Sequence, residues 1–412
     1  MVKLHHQQTS KSLSKGHGMG NEPWWPSGLT SSTFDDVVQS ARFPTPWGFI
    51  DCWDYSVIEK PEWWNGVLDA GQPWGKWPTS VEKITLMKHD IHGIHYNIDD
   101  AYHVLVSPLL HTSSLSILAR FEPWNQALTK VGVLLPISGI LLNDADAVLV
   151  YPMFKEEEDL SFIDIRNFIQ RMASTHEALA QFATPNTERQ WNADLNALEE
   201  KMETSTLWRA PHSSGTQGIP YIRLETTSKV QWKGRDFLLA LPMDLAASML
   251  VSSDRLPSLA MLMMTEFKWE YGQGVSGKDQ EVIFETWSSI VPKKWSSTKA
   301  LATANGGAWI WRYHACLLQL AHALAYQDKM LEMHCRGWLK HVSRIQAKLS
   351  NRQMIKIWIW VAVIFWVVAY FGWKLEFFSH WIALGLTFSG VGLTFLSRWL
   401  FKRQIIPPYE RR

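Results

Sequence analysis

Residues 357–373 read IWIWVAVIFWVVAYFGW and residues 377–396 read FFSHWIALGLTFSGVGLTFL; neither stretch contains Lys, Arg, Asp or Glu. Each approaches the ~20 residues a helix needs to cross a bilayer core. Only Lys374, Leu375 and Glu376 join them, and so short a connection makes the two helices antiparallel neighbours. Core helices of soluble proteins rarely run this long without a polar face. The pattern therefore predicts a polar body anchored to a membrane by a C-terminal transmembrane hairpin, with its work done at a membrane surface.

The flanks orient the hairpin. Lys340, Arg344, Lys348, Arg352 and Lys356 precede the first span, and Arg398, Lys402, Arg403, Arg411 and Arg412 follow the second. The tip offers Lys374 beside Glu376. Cationic flanks stay in the cytoplasm, which places both termini and the body there. Residues 1–20 are polar and lack the apolar run of a secretory signal. Trp358, Trp360, Trp373, Trp381 and Trp399 fall near the two expected interfaces, as anchoring aromatics do. Gly385 and Ser389 form a small-xxx-small pair that would let the helices approach closely.

The net charge of +1 sets up no global field for nucleic acid. The cations cluster beside the spans instead, where they can meet anionic headgroups. Cys52, Cys316 and Cys335 are too few and too scattered for a disulfide framework or a zinc site. Of 24 tryptophans, eight lie in the first 80 residues among Pro and Gly. Those rings could form a stacking surface for sugars or headgroups; packing that stiffens a small irregular region explains them more simply.

The chain divides into a Trp/Pro/Gly-rich and partly disordered N-terminal region (1–84), a small strand-rich lobe (85–154), a mostly helical large lobe (155–350), the hairpin (357–396) and a basic tail (397–412). Strand-like runs appear at 93–98, 102–106, 131–135 and 147–151, with a helix at 113–129. Helices follow at 162–182 and at 187–202, the latter with a Thr187/Gln190 capping box. Residues 221–232 and 236–241 alternate like strands around a Lys233-Gly234 turn. Residues 308–349 read as one long helix or two, interrupted near Gly337.

This order of elements resembles the protein-kinase-like fold, in its aminoglycoside-phosphotransferase and choline-kinase-like branch, over about residues 85–345. In the resemblance, 102–109 is similar to the third strand and 113–130 to the helix after it. GVLLPISGILLNDADAVLVYPMF (132–154) is similar to strands four and five and the hinge. SKVQWKGRDFLLALPMDLA (228–246) is similar to the stretch from the catalytic-loop Asn to the metal-binding Asp, and RYHACLLQLAHALAYQ (312–327) to the late helices. The family implies an α+β, two-lobed kinase-like domain that binds ATP with magnesium. Phosphoryl transfer needs a cation on the phosphates, an Asp that takes the hydroxyl proton, and Asn and Asp ligands for the metal. Here the third-strand segment AYHVLVSPLL has no Lys. The catalytic-loop position reads IRLETTSK (222–229), with Lys229 where Asn is expected. Glu225 and Asp244 are the nearest carboxylates and the candidate metal ligands. The ubiquinone-biosynthesis kinase-like family shares the layout of a kinase-like domain before two spans, but its KxGQ motif is absent.

Other motifs point elsewhere. GQGVSGKD (272–279) nearly matches a phosphate-binding loop, yet Asp279 replaces the hydroxyl that binds magnesium, and LMMTEFKWEY before it reads as helix rather than strand. HDIHGIH spaces His89, His92 and His95 three apart, a possible metal set, although Gly93 and the alternation after it argue for a turn and a strand. NADLNALEE (192–200) reads as a solvated helix face, and KEEED (155–159) as a helix start favoured by the dipole. Together these features predict a membrane-anchored pseudokinase-like scaffold or regulator of a membrane assembly, with the bilayer and a membrane protein as partners. Two alternatives are an atypical phosphotransferase acting on a lipid-linked or small polar substrate, and a secreted effector that inserts into a host membrane.

Overall fold

The computed structural model describes residues 22–31, 41–66, 71–111, 115–157, 165–184, 188–205, 217–225, 229–251, 254–275, 277–297, 301 and 307–403. In chain order, β1 (Ala41–Thr45) and β2 (Gly48–Cys52) form a hairpin. A 3-10 turn (Tyr55–Glu59) and the short α1 (Pro61–Asn65) come next. Then come β3 (Gln72–Gly75), β4 (Ile84–Asp90), β5 (Gly93–Ile98), β6 (Tyr102–Val106) and β7 (Leu109–Leu110). Helices α2 (Leu115–Arg120) and α3 (Glu122–Lys130) lead to β8 (Val133–Leu134), β9 (Ser138–Leu142), β10 (Ala145–Pro152) and β11 (Lys155–Glu157).

β3 to β6, β9 and β10 build one antiparallel sheet in the order β3-β9-β10-β6-β5-β4. Its hairpin turns use Asp99-Asp100 and Asn143-Asp144, all at positive φ, a conformation that Asp and Asn tolerate through local side-chain hydrogen bonds. Both faces are covered. Leu105, Leu141, Leu149 and Tyr151 face the helical half. Ile94, Tyr96, Val104, Val106, Val148 and Val150 face a layer made by Trp24, Trp25, Phe43, Ile50, Ile58 and Trp64. This is why β10 is buried at every position but its last.

The described parts of the N-terminal stretch supply a hairpin, a sheet edge and a packed layer, in keeping with tryptophans that stiffen the region by packing. Tryptophan is the reason. Trp64 stacks on Trp77 at 4.9 Å, and its Nε1 donates to Ile58 O at 2.8 Å. Large rings with a satisfied polar end bury well where regular structure is sparse.

The helical half contains α4 (Ile165–Leu179), α5 (Glu188–Lys201), β12 (Gly218–Pro220), β13 (Arg223–Leu224), β14 (Lys229–Trp232), β15 (Arg235–Leu241), α6 (Leu245–Leu250), β16 (Arg255–Pro257), α7 (Ser258–Gln273), α8 (Gly277–Ile290) and α9 (Gly307–Ala325). β14 and β15 pair around Lys233 and Gly234, both at positive φ, as the sequence predicts. β15 also pairs with β13 and with β8, and β11 pairs with β14. α9 is buried along nearly its whole length and packs on α6, α7 and α10 (Lys329–Lys374).

Several expectations change. The helix at 113–129 is two, because Phe121 adopts an extended conformation and Pro123 opens the second. KEEED begins as a strand rather than a helix: Lys155–Glu157 completes a ladder on β14. The late helices break at Gln327 (φ 55), where Asp328 caps α10, and not at Gly337, which lies inside α10. Glu199 is buried and bonded to the Tyr313 hydroxyl, so NADLNALEE is not wholly a solvated face. Thr187 of the expected capping box lies outside the described residues.

α10 spans 46 residues without interruption, about 69 Å at 1.5 Å per residue, and continues into the first apolar run. α11 (His380–Arg403) folds back along it. Met354–Lys374 and His380–Arg403 are long and apolar enough to cross a membrane. Their large side chains face outward: Trp360 is 70% exposed, Trp381 84% and Phe388 68%. The close approach falls at Gly390, buried against Trp366 and the Ala362 carbonyl, and not at Gly385, around which a Cβ would meet open space. Ser389 is exposed as well. Helix phase decides this: residues 389 and 390 differ by ~100° around the axis.

Candidate functional site

The turn between β4 and β5 ends over the helical half, and ionisable side chains concentrate at that seam. Asp244 follows β15 and caps α6: its Oδ1 accepts from the Ala247 N–H at 2.9 Å. Its Oδ2 accepts from Arg223 Nη1 at 3.1 Å. His322, one turn before the end of α9, brings Nδ1 to 4.0 Å from Oδ1, and its ring leans on Tyr326, with centroids 4.8 Å apart. Burial would raise the Asp244 carboxyl, but the charges of Arg223, His322 and Lys268 and the Ala247 N–H hold it well below the usual carboxylate range.

Lys268 projects from α7 into the same region. Burial pushes its ammonium down to about 8, Arg223 adds to that, and Asp244 and Glu225 act against it. The two carboxylates picked out in the sequence are therefore both close enough to act on one ammonium. His92, in the β4–β5 turn, is buried and kept neutral, first by desolvation and then by Arg223 and Lys268. Among the described residues, His92 Nδ1, His322 Nδ1 and the Tyr326 hydroxyl have no hydrogen-bond partner.

A second chain of polar groups runs beneath the turn. Asp90 accepts from the His92 N–H at 2.8 Å. His95 Nε2 lies 2.7 Å from Asp90 Oδ2. His95 Nδ1 is 2.8 Å from His103 Nε2. Burial pushes His103 down to about 3, so it is neutral, and one of the two facing ring nitrogens donates while the other accepts. His103 also stacks on Phe154 at 4.5 Å.

The three histidines suggested as a metal set go separate ways. His89 pairs with Glu22, the buried His92 meets Asp90 through its backbone N–H, and His95 joins Asp90 and His103. Among the described residues no group of three His, Cys, Asp or Glu side chains could hold a metal ion. The GQGVSGKD segment lies between two helices, with Gly274 as the left-handed C-cap of α7. It thus lacks the preceding strand that a phosphate loop requires.

Arg223, Lys268, Tyr326 and His103 carry no functional reading in the sequence; Asp90 enters it only beside the three histidines, and His322 only as a lone histidine on a late helix, ordinarily a packed or surface residue. Arg223 stands two residues before Glu225. Lys268 is the one cation in the mostly apolar run LMMTEFKW, which also holds Glu266, a usable signal, since such charges seldom enter a core without partners. His322 on α9 and Tyr326, just past its end, are four residues apart and so fall on one side, but nothing local shows that this side meets Asp244.

No protein family model matches this chain, and no curated protein does. Two solved structures are similar in backbone. One is a glucosamine kinase in complex with glucosamine, ADP and inorganic phosphate: TM-score 0.42, 10% identity, 77% of this chain and 99% of that one covered. The other is a second crystal form of glucosamine kinase: TM-score 0.35, 11% identity, 66% and 84% covered. Similarity this weak assigns no activity, and the site is read from its own geometry.

Proposed function

We propose that the chain is a membrane-anchored, kinase-like scaffold or regulator that works by binding and not by phosphoryl transfer. The observation that carries this is Asp244. Both of its carboxylate oxygens are committed, one to Arg223 and one to the Ala247 N–H, and Lys268 supplies a further cation. A magnesium ligand needs open oxygen lone pairs; here each oxygen already accepts a hydrogen bond from the chain itself, and Arg223 and Lys268 supply the positive charge that a divalent ion would bring. The order β4-β5-β6-β10-β9, with α2 and α3 between β6 and β9, supports a kinase-like small lobe; the aminoglycoside-phosphotransferase branch is the finer form of the same reading. The outward-facing apolar rings of α10 and α11 support a hairpin in the bilayer, with body and termini in the cytoplasm on the side of the cationic flanks.

Thermal unfolding of the full-length protein in mild detergent tests this, with ATP or ADP and with or without magnesium or manganese. A ligand that binds the folded state raises the melting temperature. No metal-dependent shift is expected, together with a membrane protein that co-purifies reproducibly. A magnesium-dependent shift that disappears in Glu225→Ala or Asp244→Ala would instead establish the atypical phosphotransferase.

A further inference from the structure

The neck between body and hairpin carries a charge pattern that a scaffold does not require. From Arg336 to Lys356 six cations recur every fourth residue, and no Asp or Glu occurs between Met333 and Leu375. The whole chain is only +1, so the remainder is net negative. Successive residues at this spacing turn by ~40° around a helix and climb it as a stripe. α10 runs unbroken through the neck. Its inner side, Leu331, Cys335, Trp338, Val342 and Ile345, is buried on the body, whereas Lys340, Arg344, Lys348 and Lys356 are exposed. Arg336 pairs with Glu332 at 2.7 Å; the four exposed cations beyond it make no ion pair among the described residues.

The second helix returns to the same level. Lys356 Nζ lies 5.9 Å from the Phe401 ring, which sets the exposed Lys402 and Arg403 beside it. From Ile345, the last neck residue buried on the body, to Met354, the start of the apolar window, is about 14 Å of helix. A headgroup layer is roughly 5–8 Å deep. The cations from Lys348 to Lys356 and those ending α11 therefore fall at headgroup depth.

We propose that the exposed cations of the α10–α11 neck form a collar for anionic phospholipid headgroups, so that the protein selects an anionic leaflet and holds its body at a set orientation on it. The proposal rests on reading α10–α11 as a membrane hairpin. A lipid surface is the occupant because the stripe continues directly into the apolar run, and because the attraction is confined to the neck of an otherwise net-negative chain.

Full-length protein is reconstituted in vesicles of acyl-brominated phosphatidylglycerol or phosphatidylcholine, and quenching of its tryptophans gives the relative affinity of the two lipids. The expected preference for the anionic lipid is about fivefold per engaged cation, the equivalent of about 1 kcal/mol each. It should fall toward one in the Lys348→Gln/Lys356→Gln/Lys402→Gln/Arg403→Gln variant and at high salt, and inorganic phosphate should not compete. Equal quenching by both lipids in the wild type overturns the collar, as does displacement by phosphate. Flotation with neutral vesicles reads the hairpin alone: protein that stays behind refutes the membrane reading, and protein that floats without lipid preference refutes only the collar.

Discussion

Replacing Arg223 with Ala probes the closed site most directly. Asp244 is 5% exposed and takes one of its two strong contacts from Arg223 at 3.1 Å. Removing one partner of a buried pair costs about 3–5 kcal/mol, because the other charge is left uncompensated. Lys268 and the Ala247 N–H remain, so the lower end, about 3 kcal/mol, is expected. At roughly 2–4 °C per kcal/mol for domains of 150–250 residues, and less for a larger body, the melting temperature should drop by about 5–8 °C. The assay is intrinsic-fluorescence melting of the full-length protein in mild detergent near neutral pH. A carboxyl held low contributes stability above its unfolded value of about 3.9 and loses it as pH falls through its folded value. Without Arg223, burial dominates and the carboxyl titrates higher, so the deficit should be widest at neutral pH and narrow in acid. Asp244→Asn completes a double-mutant cycle. Additivity of the two changes within about 0.5 kcal/mol, or a melting temperature unmoved by Arg223→Ala, would refute a coupled buried pair.

Two further outcomes follow from the same packing. Burial pushes His103 and His176 down to about 3 and His314 to about 4, whereas the unfolded chain takes up these protons near pH 6.5. Stability should therefore be full above that value and decline as pH falls toward 4; a melting temperature flat between pH 7 and pH 4 contradicts neutral buried imidazoles. In the hairpin, Gly390→Leu places a Cβ 2.4 Å from Trp366 Nε1 and should lower the helix-unfolding temperature followed by circular dichroism. Gly385→Leu, with open space around it, should leave that temperature unchanged; equal effects would show the helices crossing elsewhere.

How much of this was legible beforehand depends on the range of the interactions. The two apolar runs, the Lys233-Gly234 hairpin, the rejection of GQGVSGKD and the strands around β5, β6 and β10 could be read because run length, periodicity and turn chemistry are local properties. The misreadings share the opposite character. The Gly385/Ser389 spacing points to the wrong side of α11 because composition does not report helix phase. Residues 155–157 were taken for a helix start because their ladder partners, 229–231, lie far along the chain. Packing of the N-terminal tryptophans is expected from their number, but the surface they cover, the far face of the sheet, is set by residues far along the chain.

The candidate site shows the same division. In the sequence, Glu225 and Asp244 can be named only through the resemblance, as the carboxylates nearest the stretch it points to. The partners of Asp244 come from packing of distant segments. Arg223, Lys268 and His322 come from a strand and two helices, with Lys268 and His322 lying 24 and 78 positions beyond Asp244. Packing alone brings them together, and a buried charge must find its partner wherever the fold places one.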